Sequence, residues 1–262
     1  MNNVKSKKSK RDNINIALRA KQLSKIYEKS KENEVKAVDD IDVEIHQGEF
    51  TMIMGNSGSG KSTLLYMLSG LDEPSSGEVY INACRIDQLS EKKLAKFRRE
   101  KIGFVFQGIN LVPNLSLMEN VLVSGYLSNK SRKEVETTAD QLFERINLSE
   151  QKHRLPAQVS GGQQQRAAIV RALINSPSVL FADEPTGSLN HIQGKAVIDT
   201  LKDFNAKGQT VVMVTHDMKL ACNGSRVIYL MDGKIKGEMR FTKFDINARE
   251  TELYKWLLEM GW

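Results

Sequence analysis

Gly55-Asn56-Ser57-Gly58-Ser59-Gly60-Lys61-Ser62-Thr63 matches the pattern G-x-x-x-x-G-K-[ST]. Glycines at this spacing let the backbone curl until successive N–H groups point inward at one anion. Lys61 adds a point charge for the β- and γ-phosphates of a nucleotide, and the Ser62 hydroxyl is a hard oxygen ligand for Mg²⁺. A flexible Gly/Ser turn is the bland alternative. The apolar run Phe50–Met54 before the motif and the helix-forming stretch Lys61–Ser69 after it weigh against that alternative, and such a helix adds its positive end to the site. A second chemical pair closes the apolar stretch Val179–Ala182: Asp183 and Glu184. On an extended chain consecutive side chains point to opposite sides. Asp183 can then face the metal while Glu184 faces the attacking water as general base. Alone, the pair would read as an acidic strand exit; beside a phosphate loop it reads as catalytic.

Two further segments extend the constellation. Ser160-Gly161-Gly162-Gln163 fits an S-x-x-Q capping box and bares backbone N–H groups at a helix start, a second anion-binding end. From the stretch itself two readings stand level. One is an ordinary capped helix. The other is a site for the γ-phosphate of a nucleotide held by a second copy, so that a two-fold interface buries two ATP molecules. Thr215-His216-Asp217 follows the apolar run Val211–Val214. Parallel-sheet chemistry collects at strand carboxyl ends, which puts His216 within reach of the γ-phosphate and the water.

The elements that must carry these residues are short and apolar. Phe50–Met54, Ile102–Phe106, Val179–Ala182, Val211–Thr215 and Arg226–Met231 read as buried strands, separated by helical stretches. That alternation specifies an α/β fold with a mostly parallel sheet covered on both faces. Residues 14–50 are strand-rich, with a polar break at Ser30–Glu34, and predict an added antiparallel piece. Residues 116–147 read as helical: Ser116 with Glu119 and Ser131 with Glu134 form two capping boxes, and Val135, Ala139, Leu142, Phe143 and Ile146 make an apolar stripe that reads as a core face. The stretch of about 108–160 interrupts the alternation and reads as an inserted helical subdomain. Asp232-Gly233 marks a tight turn. Leu253, Trp256, Leu257 and Met260 predict an amphipathic helix within 241–262, either packed on its own domain or docking a partner or membrane surface. Trp262 fits either role.

Composition narrows the class. The chain has 262 residues, 40% hydrophobic and 27% charged, enough for one sizeable core. Its net charge is +6, but Lys5, Lys7, Lys8, Lys10 and Arg11, less Asp12, supply +4 of it, leaving +2 for residues 13–262. A nucleic-acid partner loses its support once that stretch is set aside. Residues 1–13 read as a disordered basic tail, either solvated or attracted to anionic lipid headgroups. Two distant cysteines, Cys84 and Cys222, suggest neither a disulfide framework nor a zinc site and fit a reducing compartment. No apolar segment follows the basic start as in a secretory signal, and no run approaches the ~18–20 apolar residues of a membrane span.

In this order the motifs resemble those of an ABC-transporter ATPase over about residues 14–240. Gly55–Thr63 stands as Walker A, Gln107 as the Q-loop, Val159–Gln163 as the signature, Val179–Asp183 as Walker B, Glu184 as the catalytic carboxylate, Ser188–Asn190 as the D-loop and His216 as the switch histidine. Phe104–Gln107, Asn110–Val121, Ser69–Asp72 and Glu184–Gly187 resemble in particular the macrolide-export and lipoprotein-release (MacB/LolD-type) group. The resemblance implies a P-loop NTPase with a RecA-like core, an antiparallel β subdomain and a helical subdomain. It also implies a homodimer that sandwiches two ATP–Mg²⁺ between the cradle of one copy and Ser160, Gly162 and Gln163 of the other. Gln107 would sense the metal and couple to an integral-membrane permease. An aromatic residue would stack on adenine, and by position that residue is Tyr27. Catalysis would rest on Glu184, His216 and Lys61, with Ser62, Gln107 and Asp183 at the metal. The permease would be a separate chain, and the ATPase a cytoplasmic protein peripheral on the inner face of the membrane. The group's activities include export of peptides or antibiotics, antimicrobial-peptide resistance, lipoprotein extraction and mechanical signalling to cell-wall enzymes. A soluble ABC-type ATPase acting on DNA or ribosomes is a competing class; those usually carry two cassettes or long coiled coils. Two departures stand out. Val159 replaces the usual Leu, and Asn190 replaces the usual Asp of the D-loop, keeping a hydrogen-bonding oxygen but losing the charge.

Overall fold

The structure is a computed structural model that describes residues 16–30, 33–242 and 245–262. The basic stretch of residues 1–13 lies outside the described residues. Two sheets organise the chain. The first is antiparallel, in the order β2-β1-β4-β5, from β1 (Ile16–Ser30), β2 (Asn33–His46), β4 (Ser76–Ile81) and β5 (Cys84–Arg85). The second has the order β10-β9-β3-β8-β7-β6. Within it β3 (Phe50–Met54), β6 (Ile102–Val105), β7 (Val179–Asp183), β8 (Thr210–Val214) and β9 (Arg226–Met231) are parallel, and β10 (Lys234–Arg240) returns antiparallel after the Asp232-Gly233 turn. The expected α/β class and added antiparallel piece are both present.

Strand alternation explains why the parallel strands carry no polar face. Met52, Met54, Leu180, Ala182, Val211, Met213, Val227 and Tyr229 belong to one buried cluster. Their neighbours Ile53, Val179, Phe181, Val212, Val214, Ile228 and Leu230 belong to the other. On the second side lies α1 (Lys61–Leu68), which buries Leu64, Leu65 and Leu68 between the two sheets. On the first lie α5 (Gly161–Leu173), α6 (His191–Ala206) and a helical segment made of α3 (Leu117–Tyr126) and α4 (Arg132–Arg145). α2 (Glu91–Lys101) leads into β6, and α7 (Met218–Ala221) follows β8.

Residues 116–147 form two helices rather than one continuous element. Ser116 and Ser131 each accept from the backbone three residues on, while Glu119 and Glu134 reach back to the cap N–H, so each helix has its own start. Asn120, 3% exposed, fixes the loop before α3. Its Oδ1 accepts from the Val112 N–H (2.7 Å), and its amide donates to the carbonyls of Val112, Leu115 and Ser116. The C-terminal helix α8 (Ile246–Glu259) packs on its own domain, the first of its two expected roles. Leu253 and Leu257 are fully buried, and Trp256 meets Tyr229 edge-on at 6.4 Å. Among the described residues no helix is long and apolar enough to cross a membrane.

Candidate functional site: a phosphate cradle at the carboxyl edge of the sheet

β3 ends at Met54 and α1 begins at Lys61, so the six residues between them must turn at the centre of the sheet's carboxyl edge. Two glycines make that turn possible. A Cβ on Gly55 would lie 2.1 Å from the Leu230 carbonyl oxygen, and one on Gly60 (φ +96°) would lie 2.1 Å from that of Ala37. The loop is also fastened from outside, because the Gly233 N–H donates to the Ser59 carbonyl (3.1 Å) and the Asp39 N–H to the Gly233 carbonyl (2.9 Å). The result is a cleft of about 670 Å³ lined by Gly55, Asn56, Ser57, Gly58, Gly60, Lys61, Ser62, Thr63, Glu184 and His216, with Ala37 and Trp262 at its sides. Ser59 lies beneath the loop. It is 5% exposed, and its N–H donates to the Asn56 carbonyl at 3.1 Å.

Lys61 and Asp183 are held by neutral partners, and Glu184 by His216. Lys61 is 7% exposed and donates to the Asn56 carbonyl (2.8 Å). Burial pushes its pKa below the ordinary lysine value, while the nearby Glu184 and Asp183 carboxylates oppose that shift. Asp183, 5% exposed, accepts from Ser62 Oγ (2.9 Å) and from the Tyr66 hydroxyl (2.8 Å). Glu184 Oε1 lies 3.0 Å from His216 Nδ1. The two carboxylates diverge for a different reason from the one the sequence suggested. Asp183 ends β7, but Glu184 adopts a left-handed backbone (φ +42°), so a sharp turn rather than strand alternation separates them. The Glu184 N–H is fixed by the Val214 carbonyl at 3.1 Å.

Tyr66 is a site residue that sequence reasoning missed. It sits one turn after Ser62 on α1, on the same face, and that i,i+4 spacing was the available signal. Burial first, then its hydrogen bond to Asp183, pushes its phenol up to about 12, so it remains a donor at neutral pH. Its ring lies 5.8 Å from that of Phe104, which in turn lies 4.5 Å from Phe106, next to Gln107.

The remaining predicted residues lie outside this cleft. The Gln107 amide packs against Gly187, where an added Cβ would meet its nitrogen at 2.9 Å. Tyr27 stands on β1, 40% exposed. Its hydroxyl donates to Asp72 (2.8 Å), the Lys25 ammonium lies 5.1 Å from its ring centroid, and Thr63 of the cradle is within reach. Burial alone would raise the Asp72 pKa, but the hydrogen bonds from Lys25 and Tyr27 hold it below the usual carboxylate value. Ser160 caps α5 and shares a capping box with Gln163. Gly162 is buried on the first turn of that helix, against Gln193. Asn190 caps α6 by accepting from the Gln193 N–H at 2.9 Å, a role its side-chain oxygen fills without a charge.

A glycine cradle, a buried lysine and a strand-end carboxylate pair at the edge of a parallel sheet define a P-loop nucleotide hydrolase. Residues 38–187 match the family model described as ABC transporter. The chain is 43% identical over 233 residues to the uncharacterized ABC transporter ATP-binding protein MJ0796 of Methanocaldococcus jannaschii, covering 87% of this chain and 99% of that one. It is 44% identical over 199 residues to the lipoprotein-releasing system ATP-binding protein LolD of Aquifex aeolicus, covering 76% and 89%. It is 45% identical over 195 residues to the macrolide export ATP-binding/permease protein MacB of Escherichia coli, covering 74% of this chain but 30% of that one. A solved dimer of MJ0796, a post-hydrolysis state bound to ADP and Pi, superposes with a TM-score of 0.78 at 40% identity, over 87% of this chain and all of that one. The chain belongs to the ABC transporter ATP-binding family and carries its ATPase domain.

Proposed function

We propose that the chain is the motor of a transporter or extrusion system. Two copies close around two ATP–Mg²⁺ and drive a separate integral-membrane permease from its cytoplasmic side, with a peptide, antibiotic or lipoprotein as cargo. The observation that carries this reading is the cleft itself, where Lys61, Glu184 and His216 converge on one open pocket beside the cradle. The Ser160 helix end lies outside that pocket, which leaves it for a second copy's nucleotide. The ATPase unit is taken as residues 14–240, with 108–160 as its helical subdomain. The cargo class rests on likeness to LolD and MacB.

The residues fit a magnesium ion. Ser62 Oγ and Asp183 Oδ1 are hard oxygens 2.9 Å apart. Phosphate oxygens and water would complete the shell. Held by Ser62 and Asp183, the ion would supply positive charge to offset that of the phosphates. The cradle N–H groups and Lys61 hold the triphosphate in place. Water attacks the γ-phosphorus as the bond to the ADP oxygen breaks. Glu184 accepts the water's proton, and His216, on the same carboxylate, keeps that oxygen turned toward the pocket.

A second pocket, of about 450 Å³, supports the permease half of the reading. It lies beside Gln107, between β6, α3 and α5, and is lined by Phe104, Phe106, Leu127 and Arg171 among others. Leu127 is 58% exposed at its rim. An apolar helix turn of a membrane partner fits this groove. The Tyr66–Phe104–Phe106 rings connect it to Asp183.

Glu184→Gln keeps the side-chain shape and removes the base. Steady-state ATPase activity is expected to fall by at least about 10²-fold, and light scattering in ATP should show dimers accumulating. A mutant as active as wild type would remove the assigned base; a mutant that stays monomeric in saturating ATP would remove the sandwich.

A further inference from the structure

One wall of the nucleotide cleft comes from outside the recognised motifs. We propose that Trp262 is a nucleotide-contacting residue of the ATP site, its indole forming one wall of the cleft. This rests on the reading that the cleft binds ATP.

The fold delivers Trp262 there by a defined route. Near the start of α8, Arg249 donates to the carbonyls of Cys222 and Gly224 (both 3.0 Å), just before β9 begins. Leu253 and Leu257 then anchor the helix in the core, and Trp256 packs on Tyr229 of β9 and beside Gly237 of β10. The helix therefore runs alongside β9 toward the carboxyl edge of the sheet, where the cradle sits. It ends in a Schellman motif. Gly261 takes the left-handed conformation (φ +87°) and its N–H donates to the Leu258 carbonyl (3.2 Å), while the Trp262 N–H donates to that of Leu257 (3.0 Å). Both bonds tie the residues after the helix to its last turn, which Leu257 anchors in the core, so Trp262 is aimed rather than frayed.

Trp262 then lines the same cleft as Gly55–Gly58, Lys61, Glu184 and His216 and remains 38% exposed. Its chemistry suits that place. An indole offers one N–H donor on a positive ring edge, so edge-on it can donate to a phosphate oxygen, and its ring displaces water from the cleft. Apart from the His216 imidazole, the other lining residues are glycines and small, polar or charged side chains, so Trp262 brings the largest apolar ring to the cleft.

The chain has two tryptophans, which makes the test direct. In a Trp256→Phe background, emission reports Trp262 alone. It should change on saturation with Mg²⁺ and a slowly hydrolysed ATP analogue, and change less with ADP, which lacks the terminal phosphate. By calorimetry, Trp262→Ala in the otherwise native chain should bind the analogue about fivefold more weakly, the scale of one aromatic contact. Its melting temperature should be unchanged, and Trp262→Phe should recover part of the loss. Unchanged emission at saturation, or native affinity in Trp262→Ala, would overturn the proposal. A native chain that binds no nucleotide by calorimetry would instead refute the ATP-site reading, and this inference with it.

Discussion

Tyr66→Phe deletes one oxygen and no carbon, so the contact with Phe104 and the helix around it should persist. What disappears is the donor on Asp183 Oδ2 (2.8 Å), while the Ser62 bond to the other oxygen remains. Asp183 is 5% exposed, so water replaces the phenol poorly. A hydrogen bond to a charged group is worth about 1.5–3 kcal/mol. At about 2–4 °C per kcal/mol for a chain of this size, the nucleotide-free protein should melt roughly 3–12 °C lower. Differential scanning calorimetry measures the shift. A double-mutant cycle with Asp183→Asn isolates the pair, with an expected coupling of at least about 1 kcal/mol. A melting temperature within about 1 °C of wild type, together with negligible coupling, would show that Tyr66 does not hold the Asp183 carboxylate.

The same phenol makes a pH prediction. Its pKa is raised in the folded state from 10.0 to about 12, so its contribution to stability is complete below pH 10 and fades as pH climbs through 12. The stability gap between wild type and Tyr66→Phe, measured by denaturant unfolding, should stay flat from neutral pH to 10 and narrow above it; a gap that widens there contradicts the assignment. Asn120→Ala removes four hydrogen bonds from a buried side chain and should cost about 2–4 kcal/mol. Hydrogen exchange of the Val112 amide should then accelerate, and native protection of that amide in the mutant would rule the clamp out.

Much of the framework was legible because its signals are local. A continuous apolar run such as Val179–Ala182 has one comfortable place, a strand buried on both faces, and the structure puts it there. The cradle was readable because Gly55 and Gly60 are required by close backbone contacts that no other residue permits. Serine followed three residues on by Glu marked the separate starts of α3 and α4. The long-range partnerships were illegible. α2 was passed over because its apolar stripe is only Leu94 and Phe97 among lysines, arginines and glutamates, with Leu94 its one buried residue of 11. The length of β1 and β2 was obscured by irregularities: both strands shift register, and Gln22 and Asp40 take left-handed backbones within them. Tyr66 meets Asp183 across 117 residues, and Glu184 departs from the strand whose alternation seemed to explain it. Trp262 reaches the cleft through a helix that sequence alone left between two roles.

The glycine loop owes its curvature to strands far from it in the chain. Gly55 nests against the Leu230 carbonyl, Gly60 against that of Ala37, and Ser59 is pinned through Gly233 to Asp39. Grafting the nonapeptide 55–63 into a foreign scaffold would therefore carry the letters of the motif without its mould. Conversely, a change in the β1–β2 arm or the β9–β10 corner, distant from any phosphate, can reshape the anion seat without altering a single motif residue.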